Sequence, residues 1–294
     1  MFSAYFDDVI ETAKVIKKID KNIKVVVGGS HVSVDPVGVI KNKSIDVAVY
    51  GEGEMTMWEL VLGKDLKKIK GIVYRKTGVI IKNEPRELIN NLDDLPYPDW
   101  SVLDYSKYEM GGVFNMRKPV FPLISSRGCP GHCLYCSVNA VWQHRWRGRS
   151  AVNVVNEMEY LMKNFGAREF SFQDDSVSVD KKRLEEICEE ITDRKLNIKW
   201  NTPNGIAHWT LTKPLLKKMK QAGCYRITFG IESGDQEMRR WVGKPYSLDQ
   251  AKELTQYANS LGFWTLATNI IGFPYETKEN IENTFNFALN SGVS

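Results

Sequence analysis

Residues 120–136 read Val120-Phe121-Pro122-Leu123-Ile124-Ser125-Ser126-Arg127-Gly128-Cys129-Pro130-Gly131-His132-Cys133-Leu134-Tyr135-Cys136, and their character changes half-way. The apolar run over 120–125 predicts a strand, and the Gly-, Pro- and Cys-rich segment after it predicts a loop at its C-terminal end. The same rhythm continues downstream. Strands near 168–173, 197–201, 225–231 and 263–271 alternate with helices near 150–164, 180–194, 212–222, 247–261 and 277–290. Asp180 and Thr277 suit helix N-caps, and Gly166, Gly223 and Gly262 follow helix ends. Five strand–helix units predict an α/β fold, a β/α barrel or part of one. Such folds keep their sites at the C-terminal mouth, which is where the loop over 126–136 would lie. The last unit ends at Ser294, so the expectation is an incomplete barrel whose fifth strand is unpaired on one side unless another chain covers it.

Upstream, Phe6, Val9, Ile10, Ala13, Ile16 and Ile19 recur at helical spacing, and Asp20-Lys21-Asn22 breaks the pattern. A β-branched strand over 23–27 ends at Gly28-Gly29, a short helical stretch follows Asp35-Pro36, and 46–50 is a second strand. Gly51-Glu52-Gly53-Glu54 then turns into a helix near 55–63, which predicts parallel strands in an open α/β sheet. Thr77-Gly78 between two apolar triplets predicts a hairpin over 71–82. From 84 to 119 periodicity fades among Pro85, Pro96, Pro98 and Pro119, as in a linker. The expected organisation is a domain over 1–83, a linker over 84–119 and the barrel-like domain over 120–294.

At about 150 residues per domain, 294 residues suit two domains. A hydrophobic fraction of 43% supplies a core and argues against disorder. Lys and Arg exceed Asp and Glu by 40 to 36, spread along the chain, so composition predicts neither a nucleic-acid nor a membrane partner. No apolar run reaches membrane-helix length, and Asp7, Asp8 and Glu11 are foreign to a signal peptide; the expectation is a cytoplasmic protein. Five cysteines are too few, and odd in number, for a disulfide framework. Cys188 and Cys224 stand alone, whereas Cys129, Cys133 and Cys136 share one loop.

Three thiolates on one loop can hold three irons of a cubane cluster and leave the fourth open to another ligand. Zinc, with His132 or His144 as a fourth ligand, is the competing reading. Against it, structural zinc loops pair cysteines in two separated halves, and no second pair follows here. Unliganded core cysteines are the least suitable reading in a polar Gly-Pro loop.

The Cys-x3-Cys-x2-Cys pattern, with aromatic Tyr135 before its last cysteine, resembles the radical S-adenosylmethionine superfamily, and later strand ends extend the resemblance over 120–294. It implies a 4Fe-4S cluster on Cys129, Cys133 and Cys136, with the open iron taking the amino and carboxylate groups of S-adenosylmethionine. It further implies a small-molecule substrate and an electron donor such as flavodoxin or ferredoxin. Tyr135 joins the cofactor-binding set. In Phe170-Ser171-Phe172-Gln173-Asp174-Asp175 the resemblance places Asp174 near the adenosylmethionine amino group, with Asp175 capping or facing substrate; turn-capping by both is the plain alternative. Glu232 and Ser233, after Ile227-Thr228-Phe229-Gly230-Ile231, match the ribose-binding end of the fourth strand. Asn201 and Asn204 end the third strand, and backbone amides near Gly272 are expected to meet the adenine.

Arg145, Arg147 and Arg149 read as a solvated basic loop, Trp142 and Trp146 as packing beneath it, and His208 as structural. Val25-Val26-Val27-Gly28-Gly29-Ser30-His31 and 46–54 resemble the cobalamin-binding domain of one radical SAM subgroup, Gly28 and Gly29 letting a nucleotide tail approach the backbone. The Asp-x-His-x-x-Gly loop of that domain does not occur in this sequence, so residue 1 is expected to fall inside the domain. His31 is not in the position of the cobalt-side histidine. The resulting fold expectation is a partial β/α barrel of the radical SAM type preceded by part of a Rossmann-like cobalamin-binding domain. Relatives methylate unreactive centres or carry out oxidative cyclisation. The alternatives are a zinc-stabilised scaffold and a cobalamin-independent enzyme such as a methylthiotransferase, whose extra N-terminal cysteines residues 1–128 do not contain.

Overall fold

The computed structural model describes residues 3–108, 114–244 and 246–293. It divides into two compact units: the chain up to Asn90 with residues 136–145, and Asn91–Tyr135 with Trp146 onward.

In the first unit, α1 (Phe6–Ile19) precedes β1 (Val26–Gly28), α2 (Ser30–Val34), α3 (Pro36–Ile40), β2 (Val47–Val49), α4 (Glu54–Val61) and a hairpin of β3 (Ile72–Lys76) and β4 (Val79–Lys82). The sheet runs β1-β2-β3-β4; β1 and β2 are parallel, and the hairpin adds antiparallel strands. Ile10 and Ala13 of α1 pack with Val39, Ile40 and Ala48 on one face, while Val47, Val49, Ile72 and Tyr74 face the other. The first strand is shorter than 23–27. The Asp46 carboxylate accepts the Val25 N–H at 2.7 Å and the Lys17 ammonium at 2.6 Å, so a side chain takes the backbone donor at that end. The chain returns at α5 (Val138–Trp142), which packs on α2.

The second unit is built on five parallel strands in the order β11-β10-β9-β8-β5: β5 (Val120–Leu123), β8 (Glu169–Phe172), β9 (Lys199–Ile206), β10 (Cys224–Glu232) and β11 (Trp264–Asn269). A small antiparallel pair, β6 (Ser126–Arg127) and β7 (Arg147–Gly148), follows β5. All nine residues of β10 are buried, as expected of a central strand covered on both faces. Helices α6 (Ala151–Phe165), α7 (Lys181–Asp193), α8 (Lys213–Gln221), α10 (Leu248–Ser260) and α11 (Lys278–Asn290) follow the expected rhythm. Asp180 caps α7 through the Arg183 N–H, and Thr277 with Asn280 forms a capping box on α11. The sheet is open, and β11 is an edge strand among the described residues.

Three elements depart from the reading. β9 runs past Pro203 to Ile206, and α9 (Gln236–Trp241) and α5 are helices too short to show a period. The stretch 84–119 is not a free linker from Asn91 onward. Trp100 and Tyr105 meet Phe121 at 5.2 and 5.4 Å between ring centroids, and the Glu169 carboxylate accepts the Met116 and Arg117 N–H groups at 2.9 and 2.7 Å. Residues 109–113 of that stretch lie outside the described residues.

Candidate functional site: the cysteine loop

Strand β5 delivers the chain to Ser125, where the loop is held from below. The Asp174 carboxylate accepts the Ser125 N–H at 3.0 Å, the Ser125 hydroxyl at 2.7 Å and the Ser126 hydroxyl at 2.6 Å. Burial raises the Asp174 pKa, and these three donors with the Arg183 guanidinium oppose that rise. Arg183 itself donates to the Ser125 carbonyl and hydroxyl at 3.1 Å each. One residue before the first cysteine, the Gly128 N–H donates to Asp175 at 3.0 Å. Two carboxylates at the end of β8 therefore fix the entrance of the loop.

Its far side leans on the end of α9. The Leu134 N–H donates to the Val242 carbonyl at 3.1 Å. Gly243, at φ +85°, lies so close that an added Cβ would sit 2.7 Å from the His132 carbonyl oxygen. A left-handed backbone and that approach both require glycine.

Between these anchors two sulfurs border the same space: a Cβ on Gly131 would lie 3.3 Å from Cys129 Sγ and 3.8 Å from Cys133 Sγ. The Gly131 N–H donates to Cys129 Sγ at 3.4 Å. Amide donation to a thiolate is the interaction that stabilises charge on cluster sulfurs, so this donor set fits an iron–sulfur group. Cys136 is exposed and opens the segment that belongs to the first unit. Among the described residues no three His, Cys, Asp or Glu side chains are gathered as a metal-binding group.

The end of β10 supplies a polar wall. Glu232, 8% exposed and at φ +67°, pairs with Lys244 at 2.8 Å, and the same ammonium donates to the Gly230 carbonyl at 3.0 Å. Lys244 also lies 5.8 Å from the centroid of the Tyr135 ring, which meets Phe273 at 5.7 Å. Burial, then the charges of Glu232 and Cys133, push the Tyr135 hydroxyl well above its ordinary pKa. Tyr135, Glu232 and Lys244 thus converge beside Cys133.

Several other expected positions take different work. Asp174 accepts from Ser125 and Ser126, so it positions the loop. Asn201 does not end its strand: it is fully buried near the start of β9, bonded to Glu169, Tyr225 and Arg226. Asn204 is exposed further along the same strand. The Ser233 hydroxyl is buried against Thr284 at 3.2 Å and accepts the Asp235 N–H, which places it under α11. The Gly272 and Phe273 N–H groups both donate to Glu276, at 2.5 and 3.2 Å. Arg147 is buried and Arg149 pairs with the buried Glu157, against the expectation of a solvated loop; Arg145 bonds Asn90. Gly28 ends β1, and Gly29, at φ +107°, opens α2. His31 accepts or donates to the Ser3 hydroxyl at 2.8 Å and stacks near Phe6. Arg183 and Lys244 are not legible in the sequence as site residues, because a basic side chain on a helix or turn carries no periodic signal.

Residues 123–288, more than half of the chain, match the model of the radical SAM superfamily. The chain belongs to the radical SAM superfamily. Residues 1–61 match the B12 binding domain. Among curated relatives, an uncharacterized methyltransferase of Pyrococcus horikoshii is 36% identical over 286 residues, covering 96% of this chain and 61% of that protein. Cytidylyl-2-hydroxyethylphosphonate methyltransferase of Streptomyces wedmorensis is 27% identical, covering 100% and 61%. The anaerobic magnesium-protoporphyrin IX monomethyl ester cyclase of Rubrivivax gelatinosus is 30% identical, covering 94% and 51%. The chain thus spans between 51% and 61% of the length of these relatives. In fold it is similar to the radical SAM methyltransferase TsrM of Kitasatospora setae, with a TM-score of 0.82 at 17% identity over 98% of this chain and 57% of that one. The cobalamin-dependent S-adenosylmethionine radical enzyme OxsB gives 0.78 at 21% identity over 96% and 42%. No helix among the described residues of this radical SAM chain is long and apolar enough to cross a membrane.

Proposed function

We propose that this chain carries the cluster-binding part of an enzyme in which Cys129, Cys133 and Cys136 hold a 4Fe-4S cluster and S-adenosylmethionine occupies the open iron. When bound, that pair supplies a 5′-deoxyadenosyl radical through one-electron cleavage of the sulfonium. The reading rests above all on one observation: two sulfurs facing the same space around Gly131, with an amide already donated to one of them. The chain's own residues set the stage. Asp174, Asp175 and Arg183 fix the loop's entrance, Gly243 fixes its back, and Tyr135, Glu232 and Lys244 present polar groups at the same end of the sheet. Glu232, of the expected ligand residues, is the one best placed to meet the ribose hydroxyls of adenosylmethionine.

The reaction we assign is radical methylation or oxidative cyclisation of a small molecule, on the strength of methyltransferases and cyclases among the relatives. Cobalamin as a second cofactor is supported by the match over residues 1–61 and by the glycine junction between β1 and α2. His31, held by Ser3 and Phe6, is not offered to cobalt. A low-potential donor such as flavodoxin or ferredoxin, and a reducing cytoplasm that keeps three loop thiols reduced, suit this chemistry. Anaerobic reconstitution followed by metal analysis tests the proposal: about four irons and four sulfides per chain are expected. A colourless chain holding one zinc would replace it with a scaffold.

A further inference from the structure

Beside the cysteine loop lies a buried cluster that the proposed function does not use. Tyr246 is clamped on three sides: Trp209 stacks on its ring at 3.6 Å, His208 meets it edge-on at 4.3 Å, and the Arg239 guanidinium lies 4.8 Å from its centroid. His208 and Arg239 are fully buried. With all that order around its ring, the Tyr246 hydroxyl is buried and bonds nothing among the described residues. A buried hydroxyl without a partner is costly, and an acceptor arriving with a bound group would remove that cost.

The chain path brings this tyrosine close to the cysteine loop. Three residues before Tyr246, Gly243 abuts His132 and lies 3.4 Å, measured from an added Cβ, from the Cys133 Cα; Val242 holds the Leu134 amide. Burial pushes the Tyr246 hydroxyl above its ordinary pKa, and the charges of Cys133, Glu232 and Cys129 add to that rise against Arg239. The carboxylate nearest in character, Glu232, already has Lys244. Arg239 donates to the Ile231 carbonyl at 3.3 Å and faces His208 at 3.5 Å, which fixes its guanidinium over the Tyr246 ring.

We infer that Tyr246, oriented by Trp209, His208 and Arg239, is a positioning residue that donates a hydrogen bond to a sulfur of the cysteine loop when the loop carries its cluster, and so raises the cluster's reduction potential. A donor to sulfur stabilises the more negative, reduced state; removing it makes reduction harder. The inference rests on the cluster reading above, and its test separates the two.

The experiment uses the full 294-residue chain, reconstituted anaerobically with iron and sulfide. Iron is counted, and the potential is read by redox titration, for wild type, Tyr246→Phe and a variant carrying 3-fluorotyrosine at position 246. The expected result is equal iron in all three, a more negative potential in Tyr246→Phe and a more positive one with the stronger fluorinated donor. Equal potentials at equal iron content overturn the role of Tyr246 and leave the cluster intact. If Tyr246→Phe takes up no iron, the fluorotyrosine chain decides: a positive shift supports the donor, no shift overturns it. Wild type without iron overturns both readings.

Discussion

At the scale of single residues, the cysteine loop depends on the side chains that hold its entrance. Asp174 satisfies three donors from Ser125 and Ser126, all buried. Replacing it with Ala leaves those donors unpaired and is expected to lower stability by about 3 kcal/mol in urea unfolding, with weaker retention of iron. Cys133→Ala is expected to abolish cluster assembly, whereas Cys188→Ala, a buried core position on α7, is expected to keep the iron while losing on the order of 1 kcal/mol of stability. His208 gives a pH signature. Burial, with the charges of Arg239 and Lys244, pushes its pKa down to about 3. The unfolded chain therefore takes up this proton first as pH falls, so the stability from a neutral His208 is complete above about 6.5 and declines from there toward pH 3. Between pH 6.5 and 5, thermal unfolding of wild type is expected to lose up to about 2 kcal/mol relative to His208→Gln. Parallel pH profiles would contradict this.

At the scale of elements, the long strands and helices of the second unit were legible because their patterns are long. α6 buries Val154, Val155, Met158 and Leu161 on one stripe, and its cap at Ser150 and left-handed Gly166 mark both ends. β10 is buried along its whole length, Arg226, Thr228 and Glu232 included, because both its faces are covered. The end of β9 was misread because Pro203 and Asn204 have turn composition, yet the ladder to β10 continues to Ile206 after a register shift. That error moved Asn201 from the base of the strand to its mouth. The loop and α9 are coupled through Gly243. Gly243→Ala meets the His132 carbonyl and a φ of +85°, and is expected to cost at least about 1 kcal/mol and to reduce iron occupancy; a fully loaded variant would show that the contact is dispensable.

At the scale of the whole molecule, the cysteine motif pointed to the family, but the partition of the chain follows packing that composition hides. Residues 91–119 look like a linker because they lack a period. Their Trp100 and Tyr105 nevertheless cover Phe121, and their backbone amides use Glu169, neither of which leaves a local sequence signal. The double substitution Trp100→Ala with Tyr105→Ala is expected to destabilise the second unit by at least about 3 kcal/mol, while a true linker would tolerate it within experimental error. Likewise residues 136–145 interrupt one unit in sequence while packing with the other through α5 and α2, a pairing set by tertiary contact alone.

The claim on which all three scales depend is that the loop's three thiolates leave one iron open to adenosylmethionine. Electron paramagnetic resonance of the reduced, reconstituted chain, recorded before and after adding S-adenosylmethionine, tests it. A 4Fe-4S signal whose g-values shift on addition is the expected result; a spectrum indifferent to the sulfonium would contradict it.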